Sequence, residues 1–305
     1  MTHQRPVHFK LLRTETLPEG MRRIAREQVA RAIERLATPE PDMDDAIHDA
    51  RLCFKKTRAV LRLVREELGE ALFQQENTHY RDAGRRLSAV RDTAAMVEIL
   101  SKLAQQFPDN LKGPWLEDLR THFLMVDKTE VDIKKFAMAE VSDMLRSARE
   151  WIDNWPLTRK GSSILSEGFK LSYAQGRRRY HKASHRPTPE NLHEWRKHVK
   201  YLWYQVSILS PIKPKALGRF ANQLRKLADY LSDYHDLIVL RDMIPQRATT
   251  LPNPSKLNEL TPIIDDTCTR LEKRAHVLGR RIYAESPREF VHRLRDYWTQ
   301  YKKPN

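Results

Sequence analysis

Apolar residues recur at steps of three and four along most of this chain, the period of an amphipathic helix rather than the alternation of a strand. The clearest run is Ala50, Phe54, Thr57, Leu61, Val64 and Leu68, which predicts one helix over His48–Leu68. The same rhythm predicts helices over Pro18–Leu36, Leu72–Phe107, Glu130–Trp155, Ser162–Lys182, Glu190–Leu209, Lys215–Met243, Leu257–Ala284 and Pro287–Tyr301. Gly113-Pro114 opens a shorter one running through Met125. Breaks fall where proline or glycine interrupts the pattern: Thr38 to Asp42, Leu68 to Glu70, Pro108, Pro156, the loop Leu157 to Gly161, Arg186 to Pro189, Pro211 with Pro214, Pro245, and Leu251 to Pro254. Pro262 leaves the start of the Leu257–Ala284 helix unsettled. No run of alternating β-branched residues is bounded by Asn-Gly or Asp-Gly turns, so the fold class is all-α.

The polar positions of the His48–Leu68 helix are as regular as the apolar ones. His48, Arg51, Lys55, Arg58 and Arg62 recur at steps of three, four, three and four. They occupy a sector of about 80°, spread over roughly 21 Å and set apart from the apolar seam. Acids enter that sector only at its ends, as Asp44 and Glu66, so Arg51, Lys55 and Arg58 between them have no counter-charge at i±3 or i±4. The whole chain leans the same way. Its 305 residues hold 55 Lys and Arg against 40 Asp and Glu, a net charge of +15. That balance calls for a polyanion, whether nucleic acid, an anionic membrane surface or a phosphate polymer.

Two cysteines, Cys53 and Cys268, are too few for a disulfide framework and too far apart for a metal knuckle. The N-terminus has no apolar core of a secretory signal, and no stretch is long and apolar enough to span a membrane. A soluble cytoplasmic protein is the expectation.

The chain also repeats itself. At an offset of 145 residues His48, Asp49, Arg51 and Lys55 meet His193, Glu194, Arg196 and Lys200. The seam Ala50, Phe54, Thr57, Leu61, Val64 meets Trp195, Val199, Leu202, Val206, Leu209. At an offset of 144, Arg81, Leu87, Ser88 and Asp92 meet Arg225, Leu231, Ser232 and Asp236, with His235 where the first half has Arg91. This predicts one domain over 1–305, built of two pseudo-symmetric helical-bundle halves at about 18–156 and 161–301, with a central basic groove. Trp203 and Ser207 stand where the first half has Arg58 and Arg62, so the two walls of a shared groove differ in charge.

These residues resemble the CHAD family, named for a histidine in an α-helical domain. Its pattern in each half is H-x-x-R-x-x-x-[KR] on one helix, then a helix resembling L-R-x-L…L-G-x-x-R-D. His48/Arg51/Lys55 with Tyr80-Arg81…Leu87-Ser88-Ala89-Val90-Arg91-Asp92 fit it, as do His193/Arg196/Lys200 with Leu224-Arg225-Lys226-Leu227…Leu231-Ser232…Asp236. Tyr173 to Arg179 resembles the helix before the second histidine motif. The likeness runs from about Leu17 to Met243; Ser88 and Ser232 depart from the usual glycine, and no ExExK motif of a triphosphate-tunnel domain accompanies it. What the resemblance implies is a stand-alone CHAD protein that binds inorganic polyphosphate in a basic channel between its halves. Association with polyphosphate granules and no catalysis of its own are also implied.

On this reading the polyphosphate-binding candidates are His48, Arg51, Lys55, Arg58, Arg62, Arg81, Arg85, Arg91, His193, Arg196, Lys200, Arg225 and His235. Forked arginine donors, with lysine as a point charge, suit a ligand that carries about one charge per phosphate and no bases. Gly84 and Ser88 leave room beside Arg81 and Arg85, and Ala228 and Ser232 do so beside Arg225. Asp92 and Asp236 are expected to orient Arg or His across the interface rather than touch ligand. Cations flank His48 and His193, which disfavours a metal ion there; neither a metal nor another cofactor is expected. Two alternatives remain. A nucleic-acid-binding helical module would lack interleaved aromatics along the rail, and a His-dependent phosphohydrolase or phosphotransferase would lack an identifiable general base or carboxylate cluster.

Overall fold

A computed structural model describes residues 9–39, 42–88, 99–105, 121, 128–158, 161, 163–247 and 254–302. Its helices are α1 (Leu17–Ala37), α2 (Met43–Leu63), α3 (Arg65–Ser88), α4 (Lys128–Arg146), α5 (Ala148–Asp153), α6 (Ser163–His185), α7 (Pro189–Leu209), α8 (Pro214–Arg247), α9 (Pro254–Ile282) and α10 (Pro287–Lys302). Residues 99–105 are also helical, and a 3₁₀ turn, Ser210–Ile212, joins α7 to α8. Among the described residues there is no strand, so the all-α class holds.

Local chemistry explains the starts. Thr16 and Glu19 form a reciprocal capping box on α1, and the Asp42 carboxylate accepts the Asp44 N–H at the head of α2. Thr188 caps α7, whose first residue is Pro189.

Several ends differ from the periodicity. α2 stops at Leu63 rather than Leu68: Val64 leaves the helix at φ −99°, ψ 10°, and Gly69 turns the chain at φ 73°. The long helix expected over Leu72–Phe107 is described as far as Ser88 and again over 99–105, and the Gly113–Met125 helix lies outside the described residues, Thr121 apart. Ser147 divides the Glu130–Trp155 segment into α4 and α5. Proline is less of a stop than the pattern implies. α8 runs past Pro245 to Arg247, where a missing N–H costs one bond of the last turn, and α9 begins at Pro254 and carries Pro262 inside.

α2 lies at the centre, packed against α1, α3, α6 and α7; α7 packs in turn on α6 and α8. In α1-α2-α3 the middle helix packs on both flanking helices, as the middle helix does in α6-α7-α8. One connected apolar core runs from Leu11 to Leu294. In the α2–α7 contact the buried Gln205 amide donates to the Ala59 carbonyl at 3.1 Å.

One buried group works against this core. Glu76 of α3 is 1% exposed and accepts the Trp155 indole N–H at 3.2 Å, while its second oxygen has no partner. Burial pushes its carboxyl up to about 7. The folded state therefore favours the protonated form, and stability falls as pH rises from the unfolded value near 4.5 through 7. Glu76→Gln keeps the acceptor and removes the charge. In urea titrations it should be more stable than the parent by about 2–3 kcal/mol at pH 8, with the difference gone by about pH 4.5. Equal stabilities at both pH values would contradict this.

Candidate anion-binding site

The cation row of α2 begins at His48, which is exposed, and continues through Arg51, Lys55, Arg58 and Arg62, all half-buried. At its far end the side chains are fixed by a neutral group. Arg58 Nε and Arg62 Nη1 both donate to Asn77 Oδ1 of α3, at 3.0 and 2.9 Å, and Arg62 Nη1 also donates to the Arg58 carbonyl. The Arg62 guanidinium lies 3.9 Å from the ring centre of Tyr201 on α7, and Arg58 lies 5.9 Å from the same ring. Burial, with Arg58 and Arg65 nearby, lowers the pKa of Arg62 to about 10, which leaves it a cation at neutral pH. Among the described residues no carboxylate is ion-paired with Arg58 or Arg62. An amide oxygen orients two guanidinium groups without neutralising either.

Arg81 is instead paired with Asp82 at 2.8 Å, and the exposed Arg85 sits 3.7 Å from the same carboxylate. The hydrogen bond from Arg81 holds Asp82 below its ordinary range, and the charges of Arg85 and Arg58 add to it. Gly84 is half-buried, and a Cβ there would lie in ordinary contact, 3.7 Å from the Phe54 ring of the α2 seam. Ser88 bonds back to the Gly84 carbonyl. Arg91 and Asp92 lie outside the described residues. On α1, Arg31 and Arg35 engage Asp49 at 3.1 and 3.2 Å.

The second half draws its candidates from α7 and α8. His193 and His235 place their rings 4.5 Å apart. Arg196 Nε donates to Ser232 Oγ at 3.0 Å, and Ser232 donates to the Ala228 carbonyl. Asp236 lies close enough to Arg196 and Lys200 to favour their charged forms. Burial and then Arg196 depress the pKa of Lys200 to about 8, against the pull of Asp236, Asp229 and Asp233. His235 is brought down to about 4 by burial, Arg196, His193 and Lys200; His193 is lowered by burial, Arg196 and Lys197. Arg225 is exposed two turns before Ser232 on the same face of α8.

Where the first half has Arg58 and Arg62, Trp203 stacks on Tyr204 at 4.8 Å and Ser207 bonds to the Trp203 carbonyl. Among the described residues, no group of three or more His, Cys, Asp or Glu is placed to hold a metal ion, and no helix is long and apolar enough to cross a membrane.

Pattern reading misses Asn77, Tyr201, Asp229 and Asp233. Asn77 could have been found, since it precedes Arg81 by four residues on one face of α3. Tyr201 carries no such signal; its meeting with Arg62 depends on the α2–α7 packing.

This helical architecture is similar to the crystal structure of the CHAD domain from the plant Ricinus communis, with a TM-score of 0.61 over 93% of this chain and 94% of that one. Identity is 15%, so this likeness concerns the fold. The sequence matches the CHAD domain family over residues 23–245, and the chain belongs to that family. A comparison with curated proteins found no match.

Proposed function

We propose that this protein is a non-catalytic receptor for inorganic polyphosphate, held along the cations of α2 and α7 in a basic channel between two helical repeats of one domain. The first repeat spans about 18–156 and the second about 161–301, and the site of action is the cytoplasm, at polyphosphate granules. The observation that carries this reading is the pair Arg58 and Arg62, oriented by the neutral Asn77 and ion-paired to no carboxylate among the described residues. The cations that continue along α2 attract an extended polyanion, and release of its condensed counterions supplies much of the affinity. Arg51, Lys55, Arg81 and Arg85 extend the first wall, with His48 at its mouth and Arg91 assigned by motif. His193, Arg196, Lys200, Arg225 and His235 make the second.

A nucleic-acid reading is weaker because the aromatic on the second rail, Trp203, is already stacked on Tyr204 rather than offered to a base. Competition tests the choice. Labelled long-chain polyphosphate should bind at moderate salt, resist an excess of single-stranded RNA, and bind far more tightly than orthophosphate at equal phosphorus. RNA that cannot be displaced by polyphosphate, or polyphosphate no better than orthophosphate, would overturn the proposal.

A further inference from the structure

The two walls differ in more than their number of cations. Arg58 and Arg62 of the first wall are guanidinium groups that stay charged at any physiological pH. In the second wall Trp203 and Ser207 stand at those positions, and the charge-bearing end instead holds two imidazoles in ring contact, His193 on α7, the counterpart of His48, and His235 on α8, the counterpart of Arg91. His193 Nδ1 is buried and has no hydrogen-bond partner. A polar atom of this ring is therefore left to be satisfied.

We infer that the His193–His235 pair makes the second wall a proton-linked anion receptor, which takes up a proton from solvent when a polyphosphate chain binds. This rests on the polyphosphate reading and assigns a regulation to that same site.

The charges around the pair show why a proton waits for an anion. On α7, His193 faces Arg196, Lys197 and Lys200, with the acid Glu194 acting against them. On α8, His235 faces Arg196, Lys200 and His193. The α8 acids Asp229, Asp233 and Asp236 act on Lys200, Asp236 also acts on Arg196, and Lys102 of the 99–105 helix acts on Asp233. From the other helices packed on α7, Arg62 of α2 and Arg179 of α6 act on His198, and Arg179 also pairs with Glu194 at 4.0 Å. On the α9 side of α8, Glu272 acts on Tyr234. Burial, and then the two cations beside these touching imidazoles, disfavour the protonated form of both. A phosphate row laid against Arg196 and Lys200 reverses that local field and offers an acceptor to an imidazole N–H. Because the rings touch, a second proton meets the repulsion of the first, so uptake near one proton per pair is expected.

Calorimetry of the full chain with long-chain inorganic polyphosphate, whose terminal phosphates are a negligible fraction, tests this between pH 5.5 and 7. The window lies below the range where Lys200 titrates. Titration in two buffers of different ionisation enthalpy should show net proton uptake, with affinity rising up to about tenfold per pH unit of acidification for one linked proton. His235→Arg, which installs the Arg91 type of residue, should bind tightly at pH 7 and lose most of the pH dependence. His193→Gln with His235→Gln should abolish the uptake while the far-UV helix signal persists; should that double variant misfold, the wild-type proton count and His235→Arg still decide. Binding by the wild type with no proton uptake, or the same uptake in His235→Arg, overturns the proton linkage and leaves the polyphosphate reading intact. No binding at any pH overturns both.

Discussion

Replacing Arg51 and Arg196 together by glutamine should lower polyphosphate affinity by about a hundredfold or more at moderate salt. Each charge-assisted hydrogen bond contributes about 1.5–3 kcal/mol, so losing one on each wall removes at least about 3 kcal/mol. Glutamine is the informative choice at position 196. Glutamate would place a second carboxylate against Asp236, and any loss could then be ascribed to the fold. Glutamine can still bond to Ser232, the partner that holds Arg196 in place. A second signature separates lost contacts from general weakening: the slope of log affinity against log salt should become shallower by about 1.5–2, as two counterion-releasing contacts disappear. Arg288→Gln, on the exposed side of α10, should change affinity less than twofold. A double variant with wild-type affinity and slope would place the anion elsewhere on the molecule.

Much of the architecture is legible from periodicity because each helix buries one continuous stripe. What periodicity cannot show is where a helix stops when the next turn is also buried. Val64 and Leu68 are both in the core, so the 3-4 rhythm crosses the break after Leu63 unchanged. Proline misleads in the opposite sense: at Pro245 and Pro254 it sits near a helix end, where the loss of an N–H costs little.

The site divides in the same way. The cations of the proposed site are legible because they repeat along the helix, and the duplication singles out Arg196 and Lys200. The groups that position them are another matter. Asn77 between two arginines, Tyr201 over Arg62 and the His193–His235 contact each join residues of different helices. Gly84 depends on packing in the same way, since it is half-buried with one edge against the Phe54 ring of α2.

The position most sensitive to one added methyl group should be Gly168, where α6 crosses the end of α2. A Cβ there would lie 2.2 Å from the Leu63 carbonyl oxygen, 2.6 Å from its Cα and 2.7 Å from its carbonyl carbon. The obstruction is backbone, so no rotamer change relieves it, and the two helices must move apart. Neither moves cheaply. α2 is wedged among α1, α3 and α7, while Tyr173 holds α6 to α10, stacking on Phe290 at 4.3 Å, and to the end of α9, donating to the Ile282 carbonyl. Alanine is the better helix former by about 1 kcal/mol, yet overpacking should dominate and leave Gly168→Ala destabilised by about 2–4 kcal/mol. Gly218 of α8 supplies the contrast: a Cβ there meets nothing within 4 Å, so Gly218→Ala should gain about 0.5–1 kcal/mol. Urea melts of both variants beside the parent would show this opposite movement. The consequence reaches the anion site, because Leu63 follows Arg62 directly. A displaced α2 end draws Arg62 away from Tyr201 and Asn77, so the folded fraction of Gly168→Ala should also bind polyphosphate more weakly, whereas Gly218→Ala should bind as the parent does. Unchanged stability and affinity in Gly168→Ala would mean that the two helices are free to separate there, and that the α2 wall does not depend on α6 for its position.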